Sequence, residues 1–234
     1  MNNKRWTLNA DVGEGCDDSL IMPYIDCANV CCGAHAGSLD ISEKTIRLAE
    51  HHQVAVGAHP GYPDRENFGR LSLKLSASQL QKTLYQQITD IKALAKNLVY
   101  VKPHGALNHD MLVDDALFER ICQVVHSIDP ALALMVPTNP NHRQQTAIAQ
   151  QYRLNIYWEV FADRAYEANG LLRPRKYPDA VHQKPTDIIN QITQIKTQQS
   201  IVAIDGSAID VAMAQTICVH GDNPASIAAI RQLG

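Results

Sequence analysis

Seven short apolar segments alternate along the chain with longer segments that carry the apolar spacing of amphipathic helices. Each short segment is rich in apolar and β-branched residues and is bounded by Gly, Pro, Asn or Asp, which is typical of strands. Alternation of this kind predicts parallel strands joined by right-handed helical crossovers. The predicted strands are residues 6–10, 27–31, 54–57, 98–102, 132–136, 155–159 and 216–219.

A chain of 234 residues is long enough for one α/β domain with a well-buried core. We therefore expect a single domain over residues 1–234, in which seven strands close into a TIM-like β/α barrel. An open doubly wound sheet is the alternative. An Asp-Gly pair within 201–211 predicts a hairpin before the last strand. The predicted helices are 38–52, 76–95, 141–152 and 185–197, with one more beginning at Asp114 and one at Pro224.

Six of the short apolar runs end in a histidine or an acid. In a parallel α/β fold the residues just past the strand ends converge on one rim, where ligands bind. Six ionisable side chains are therefore expected to meet in one place, which is the layout of an enzyme active site. These residues are Asp11, His35, His59, His104, Glu159 and His220.

Two long irregular segments, 57–76 and 163–183, follow predicted strands and are expected on the same rim. The first contains Asp64 and Arg70 among several turn-forming prolines and glycines, and the second begins with Asp163 and Arg164. A guanidinium group suits a carboxylate of the substrate, because it forms two parallel hydrogen bonds with it.

The composition and charge of the chain argue against several classes of protein. The formal net charge is −3 and no run of basic residues occurs, so nucleic-acid binding is not expected. No run of about 18 apolar residues predicts a membrane span, and the N-terminus does not resemble a signal peptide, so we expect a cytoplasmic protein. The six cysteines lack disulfide or zinc spacing and are expected to be inert, reduced thiols.

Six sequence blocks, in order along nearly the whole chain, resemble the LamB/YcsF family, which supplies the A subunit of the bacterial 5-oxoprolinase. Two departures accompany the resemblance: Ala34 stands where relatives commonly have phenylalanine, and 175–181 departs from the usual Arg-x-x-x-x-Gly-Ala-Val pattern. The second departure leaves the role of the arginine loop open. The blocks are LNADVGE (8–14), NVCCGAHAG (29–37), GAHPGYPD (57–64), VKPHGAL (101–107), EVFADRAY (159–166) and ICVHGDNP (217–224).

The resemblance implies a seven-stranded β/α barrel related to polysaccharide deacetylases and glycoside hydrolases. It also implies ATP-dependent opening of the lactam 5-oxoproline (pyroglutamate) to glutamate, carried out with separate B and C subunits. The chain has no G-x-x-x-x-G-K-[ST] sequence, and Gly13-Glu14-Gly15 lacks the rest of a dinucleotide fingerprint. ATP, with magnesium, is therefore expected to act through the complex, and phosphoryl activation is expected on the partner subunits.

Water attack on a lactam needs a base, a donor for the oxyanion and an acid for the leaving nitrogen. We assign the acid/base role to Asp11 or Glu14 together with His59, and stabilisation of negative charge to Lys102 and His104. Either Arg164 or Arg70 is expected to hold the substrate carboxylate. The other predicted substrate-binding residues are His35, Asp64, Glu159, Asp163 and His220.

A metal site competes for the same residues. Asp11, His35 and His59 are of the types that bind a divalent cation in the related deacetylases, although no close-spaced histidine pair of the H-E-x-x-H kind occurs. Two other functions stay open at this point. One is a metal-dependent deacetylase or amidohydrolase that acts alone, and the other is a non-catalytic partner subunit of an ATP-using enzyme.

Overall fold

The computed structural model describes residues 6–233 and contains a closed barrel of seven parallel strands. The barrel order is β1-β2-β3-β4-β5-β6-β9, and β9 closes the ring by pairing with both β1 and β6. The predicted barrel is thus confirmed and the open-sheet alternative is wrong. Residues 1–5 and 234 of the predicted domain lie outside the described part of the chain.

The predicted strands are confirmed, with ends that move by a few residues. The hairpin before the last strand is also confirmed, because β7 pairs antiparallel with β8. The strands are β1 Thr7–Val12, β2 Cys27–Cys31, β3 Ala55–His59, β4 Leu98–Val101, β5 Ala133–Pro137, β6 Ile156–Phe161, β7 Ser200–Val202, β8 Ala208–Asp210 and β9 Thr216–Cys218.

Polar caps fix where several helices begin. The Ser38 side chain accepts a hydrogen bond from the Ile41 amide at the start of α1, and Ser76 with Gln79 forms a capping box at the start of α2. The helices are α1 Leu39–His51, α2 Ala77–Leu94, α3 Gly105–Val113, α4 Asp115–Ile128, α5 His142–Gln151, α6 Pro185–Gln198 and α7 Pro224–Leu233. No helix in the described part is long and apolar enough to cross a membrane.

Helix α3 was not predicted from the sequence. It begins at Gly105, one residue after a strand-ending motif, and has no apolar stripe on a single face. Its buried residues lie on several sides of the helix, so the usual 3.6-residue signal is missing. The segment therefore resembles a loop in sequence, although it forms one wall of the site described below.

The two faces of the barrel strands differ in character. Ala10 and Val12 face outward into the apolar layer between barrel and helices, whereas the alternate residues Asn9 and Asp11 face inward. Inside the barrel, Tyr100 packs with Cys27 and Met135 in a separate cluster. A layer of buried polar side chains lies above that cluster, formed by Asn9, Asn29, Lys102, Glu159 and Thr216.

None of the six cysteines forms a disulfide in the structure. Five of the six are buried, and only Cys16 is exposed. Burial raises the pKa of the Cys27, Cys31 and Cys122 thiols to about 12, which keeps them protonated and unreactive near neutral pH.

Gly57 in β3 allows the Tyr100 ring to lie against the strand backbone. A Cβ atom at residue 57 would come within 2.1 Å of that ring, whose hydroxyl donates to Asn29 Oδ1 and so resists displacement. We expect Gly57→Ala to lower the free energy of unfolding by about 1–3 kcal/mol, measured by urea denaturation. In Gly221→Ala, the matched control, the new Cβ would lie 3.6 Å from Ile21, an ordinary contact. Equal effects of the two substitutions would contradict the packing argument.

Candidate active site

The carboxyl ends of the barrel strands bring together most of the polar residues that the sequence singled out. Asp11 lies in β1, His59 is the last residue of β3, and Glu159 lies in β6. Because all seven strands run parallel, these ends share one rim. The loops after the strands hold the other residues, namely Glu14, His35, Arg70, Lys102, His104, Asp163, Arg164 and His220.

Glu14 lies at the centre of three buried histidines. Its Oε1 atom is 2.9 Å from His35 Nε2, 3.2 Å from His104 Nδ1 and 3.7 Å from His59 Nε2. The His35 and His104 rings stack with their centroids 3.7 Å apart, and the His59 ring stands at 89° to that of His104. One oxygen of this carboxylate therefore has three imidazole nitrogens within 3.7 Å.

Two backbone carbonyls set the tautomers of this cluster. His59 Nδ1 lies 2.7 Å from the Lys102 carbonyl oxygen, and His104 Nε2 lies 2.9 Å from the Phe68 carbonyl oxygen. A carbonyl only accepts, so each of these nitrogens carries a proton and donates it. The opposite nitrogens, His59 Nε2 and His104 Nδ1, face each other and Glu14.

The irregular loop after β3 holds the histidine rings because two of its residues are glycines. A Cβ at Gly61 would lie 2.8 Å from His35 Nδ1, and a Cβ at Gly69 would lie 2.8 Å from His35 Cβ and 3.0 Å from His104 Cδ2. The loop backbone can thus press directly against the stacked rings. Gly69 also has a φ of +63°, which other residues rarely adopt.

Lys102 occupies the centre of the barrel mouth and is 1% exposed. Its Nζ atom lies 3.0 Å from Asp11 Oδ1, 3.0 Å from Glu159 Oε2, 3.2 Å from Asn9 Oδ1 and 3.2 Å from Cys218 Sγ. An ammonium group has three N–H donors, so these contacts use all of them. They favour a role in holding Asp11 and Glu159 over the predicted role as a direct donor to an oxyanion.

The Asp11–Lys102 pair is ionised. Burial would raise the pKa of Asp11, but the positive charges of His59 and Lys102 outweigh it and hold that pKa well below its ordinary value. Burial would lower the pKa of Lys102, yet the negative charge of Asp11 raises it well above its ordinary value. Glu159 differs, because burial raises its pKa more than the charge of Lys102, whose Nζ lies 3.0 Å from Glu159 Oε2, lowers it.

Two of the histidines around Glu14, His35 and His59, differ in how readily they take a proton. Burial would raise the pKa of Glu14, but its contacts with the His104 and His35 rings hold it far below its ordinary value. Burial lowers the pKa of His35 to about 4, so that ring is neutral near pH 7. For His59 burial would lower the pKa, but the nearby Asp11 carboxylate raises it. The cluster therefore combines a fixed carboxylate with a histidine that readily takes a proton.

Asp163 positions His220 from beneath. Its carboxylate is fully buried and accepts from the His220 amide at 3.0 Å, from His220 Nδ1 at 2.9 Å and from Ser226 Oγ at 2.9 Å. His220 Nε2 then points toward the centre of the rim, 3.9 Å from Asp11 Oδ2. Burial would raise the pKa of Asp163, but the charge and hydrogen bonds of His220 hold it far below its ordinary value.

This depressed pKa predicts an acid-sensitive contribution to stability. The Asp163 carboxyl binds a proton more readily in the unfolded chain than in the folded one, so its contribution is present above about pH 4 and is lost as the pH falls below that value. We expect Asp163→Asn to be less stable at neutral pH and to lose less stability on acidification than the wild type. Urea denaturation at a series of pH values measures both effects, and parallel pH curves for the two proteins would contradict the assignment.

A cavity of about 300 Å³ opens above these residues, a size suited to a compact small molecule. Of the predicted site residues, His35, Asp64, Glu159 and Asp163 do not line it. Those that do are Asp11, Glu14, His59, Arg70, Lys102, His104, Arg164 and His220.

The cavity wall opposite the histidines is strongly basic. Arg164 is buried, and its Nε and NH2 groups donate to the carbonyls of Ala180 and Arg173 rather than to a carboxylate. Burial and the charge of Arg175 lower the pKa of Arg164 to about 10, which still leaves it charged at neutral pH. Arg70 contributes from the facing loop, with only Asp222 as an ion-pair partner, 4.0 Å away, among the described residues. A small anion is the natural complement of this wall.

Asp64 is separated from the predicted site. One of its oxygens accepts from Asn67 Nδ2 at 2.9 Å within the same loop, and Asp64 does not reach the cavity.

Two asparagines that hold Asp11 in place, Asn9 and Asn29, were not singled out from the sequence. Asn29 Nδ2 donates to Asn9 Oδ1 at 2.9 Å and to Asp11 Oδ1 at 2.8 Å. The period-two alternation of β1, which puts Asn9 on the same face as Asp11, was the available signal.

The residues that could hold a metal ion differ in part from those named from the sequence. His35 and His59 are retained, but their companions are Glu14 and His104, and the ligand atoms of the four lie within 4.8 Å of one another. Asp11 is outside this group and contacts its edge, with Oδ2 3.3 Å from His59 Nε2.

Comparison with known proteins places the chain in a family. The LamB/YcsF profile matches residues 6–234. One of the 5-oxoprolinase A subunits of Pseudomonas putida is 40% identical over 240 residues, covering 98% of this chain and 93% of that protein. The 5-oxoprolinase A subunit of Vibrio vulnificus is 40% identical over 243 residues, covering 100% and 97%.

Solved structures agree with this placement. The lactam utilization protein of Thermus thermophilus superposes with a TM-score of 0.88 at 33% identity, covering 97% of this chain and 95% of that one. A putative cellobiose-phosphate cleavage protein of Enterococcus faecalis, at a TM-score of 0.57 and 10% identity, covers 98% and 91% and shares the fold alone. By sequence and by structure, this chain belongs to the LamB/YcsF family.

Proposed function

We propose that the chain is the catalytic A subunit of an ATP-dependent 5-oxoprolinase, a hydrolase that opens 5-oxo-L-proline to L-glutamate together with B and C subunits. The observation that carries the proposal is the group of Asp11, Glu14 and the buried His59 and Lys102 on the floor of a cavity whose wall is basic. The names of the relatives, which are 5-oxoprolinase A subunits and a lactam utilization protein, supply the substrate class.

The cavity suits a small cyclic amide that carries one carboxylate. We assign the carboxylate of 5-oxoproline to Arg164, because this buried guanidinium lacks an acidic partner among the described residues. Arg70 then lies across the mouth as the second cation, placed to neutralise charge that develops on the lactam oxygen. With the carboxylate held at the wall, the amide faces the acids and histidines of the floor.

Lactam opening adds one water molecule across the C5–N1 bond. The water oxygen bonds to the C5 carbonyl carbon while its proton passes to the Asp11–His59 pair, whose closest atoms are 3.3 Å apart. The C5–N1 bond then breaks, the proton is transferred from the pair to N1, and the opened chain carries a free amine and an acyl group at C5. Because Asp11 and His59 interact strongly, the proton belongs to the pair rather than to either residue.

Lys102 and Glu14 keep this pair in place. Lys102 donates to Asp11 Oδ1, which leaves Oδ2 free to face His59 and the cavity. Glu14 approaches the same His59 nitrogen, with Oε1 3.7 Å from Nε2, and its negative charge favours the protonated ring. These are positioning roles that act through Asp11 and His59.

The sequence shows no ATP-binding motif in this chain. Neither a G-x-x-x-x-G-K-[ST] sequence nor a complete dinucleotide fingerprint occurs. We therefore assign nucleotide binding and phosphoryl activation, with magnesium, to the partner subunits. There the γ-phosphoryl group of ATP passes to the lactam oxygen and ADP leaves. In this barrel one water molecule opens the C5–N1 bond of the phosphorylated lactam, and a second water molecule hydrolyses the resulting acyl phosphate to the carboxyl group and inorganic phosphate.

The test is glutamate release from 5-oxo-L-proline, measured for the chain alone and for the chain mixed with its B and C subunits, each with and without magnesium ATP. We expect glutamate only from the full mixture with ATP. ATP-independent release by the chain alone would replace the proposal with a stand-alone amidohydrolase. ATP hydrolysis by the isolated chain in the presence of 5-oxoproline would overturn the assignment of ATP to the partner subunits.

A further inference from the structure

Three hydrogen-bond acceptors, one each from Glu14, His59 and His104, face one another. The carbonyls of Lys102 and Phe68 fix the protons of His59 and His104 on the outward nitrogens. His59 Nε2 and His104 Nδ1 are therefore acceptors in the neutral rings, yet they lie only 2.9 Å apart. Both also face Glu14 Oε1, which is an acceptor as well. Something positive has to lie between these atoms, either a proton or a metal ion.

The spacing of the three atoms fits a metal ion. The distances between them are 2.9, 3.2 and 3.7 Å. Ligands of a tetrahedral zinc ion, at about 2.0–2.1 Å from the metal, stand about 3.3–3.4 Å from one another. The mean edge of the observed triangle is close to that value, so an ion can be accommodated without moving the backbone.

The groups around these three atoms are those expected around a metal ion that keeps one position open for substrate. Both histidines donate their other ring N–H to a backbone carbonyl, which is the usual support of a metal-bound imidazole. His35 Nε2, 2.9 Å from Glu14 Oε1, orients the carboxylate from behind. Glu14, His59 and His104 line the cavity whereas His35 does not, so a fourth position opens toward the substrate.

We propose that Glu14 Oε1, His59 Nε2 and His104 Nδ1 bind one divalent transition-metal ion of the zinc class at the floor of the cavity, with His35 as the residue that positions Glu14. Two imidazoles and a carboxylate suit zinc, cobalt and their neighbours, and not magnesium or calcium, which take oxygen ligands. The set differs from the one expected from the sequence, in which Asp11 and His35 were candidate ligands beside His59. Asp11 is instead left free beside the ion, with Oδ2 3.3 Å from His59 Nε2.

Whether the ion binds does not depend on what reaction the protein catalyses, but the role of the ion in lactam opening rests on the proposed function. There the ion would supply a positive charge for the amide oxygen or for the attacking water. Asp11 would then take the water proton alone, since His59 Nε2 is occupied. The binding test below needs neither substrate nor partner subunits, so a failure of the proposed function would be recognised separately.

The experiment uses the full chain, stripped of metal by a chelator and then titrated with Zn²⁺ by calorimetry, with elemental analysis for stoichiometry. We expect one ion per chain and a rise in Tm on binding. Co²⁺ serves as a second probe, because the intensity of its visible absorption distinguishes four-coordinate from six-coordinate sites. Glu14→Gln, an isosteric change, and His104→Gln should abolish the stoichiometric binding. His35→Asn should weaken it by about 10- to 100-fold, as loss of an outer partner does.

Two controls separate this site from adventitious binding. His109 is exposed and lines the same cavity without touching the cluster, so His109→Ala should bind the ion as the wild type does. The adjacent surface histidines His51 and His52 are the obvious competing site, and their double replacement by alanine should also leave binding unchanged. Failure of the wild type to bind one ion, or equal binding by folded Glu14→Gln, would overturn the proposal. Circular dichroism establishes that each variant is folded.

Discussion

Replacing Lys102 with methionine is expected to destabilise the chain by about 3–5 kcal/mol, more than the loss expected for Gly57→Ala. The ammonium group is 1% exposed and lies 3.0 Å from oxygens of both Asp11 and Glu159. Methionine has nearly the volume of lysine but no charge, so the packing is retained while the two acids lose their shared cation. A buried carboxylate left unpaired costs far more than a solvent-exposed one.

The measurement is urea denaturation of Lys102→Met beside Lys92→Met, a matched control. Lys92 pairs with Asp129 at 2.7 Å, but its side chain is 38% exposed, so we expect its loss to cost about 1 kcal/mol or less. The double variant Lys102→Met with Glu159→Gln should recover part of the lost stability, since it removes one of the two uncompensated acids. An additive cycle, with no recovery, would show that Lys102 and Glu159 do not interact energetically.

The barrel and its rim could be predicted because strand topology converts sequence position into spatial position. His59 at the end of β3 and His104 after β4 are 45 residues apart in the chain, yet their ring nitrogens lie 2.9 Å apart. The alternation of strands and helices was sufficient to infer that they share a rim, since every strand in a parallel barrel ends on the same side. That inference needed no knowledge of side-chain rotamers.

The order of contacts within the rim could not be predicted in the same way. Glu14, two residues beyond β1, approaches three histidines, whereas Asp11 contacts both Lys102 and His59, and the sequence offered either acid for either place. Asp64, which lies in a family-like block, turns into its own loop. Which acid meets which base depends on loop conformation, as with Gly61 and Gly69, whose missing side chains let the loop pack on the rings.

Helix α3 shows the corresponding limit for the fold. It was missed because its buried positions do not form one face. Leu107 and Met111 pack among other elements, so the helix is enclosed on more than one side and needs no single apolar face. Its first residues line the cavity beside His104. Periodicity identifies helices that are half exposed, and a helix that is largely enclosed gives a weak signal.

Asp11→Asn is expected to lower the rate of glutamate release from the reconstituted complex by about 100- to 10,000-fold, the range for loss of a general acid/base group. The change keeps the size of the side chain, and the amide oxygen can still accept from Asn29 and Lys102. What it removes is the negative charge that faces His59 at 3.3 Å and lines the cavity. The proton from water then has no anionic acceptor.

The assay compares the Asp11→Asn chain with wild type and with Asp205→Asn, in the presence of the partner subunits and magnesium ATP. Asp205 is exposed in the turn of the β7–β8 hairpin, where asparagine is equally suited, so this control should keep full activity. A fall in kcat with an unchanged KM would place the loss in the chemical step rather than in substrate binding. If Asp11→Asn released glutamate at the wild-type rate while omission of the chain abolished release, the barrel would be a non-catalytic partner. The catalytic assignment of its rim would then be wrong. A carboxylate that acts on the reacting atoms cannot lose its charge without changing the rate of the reaction.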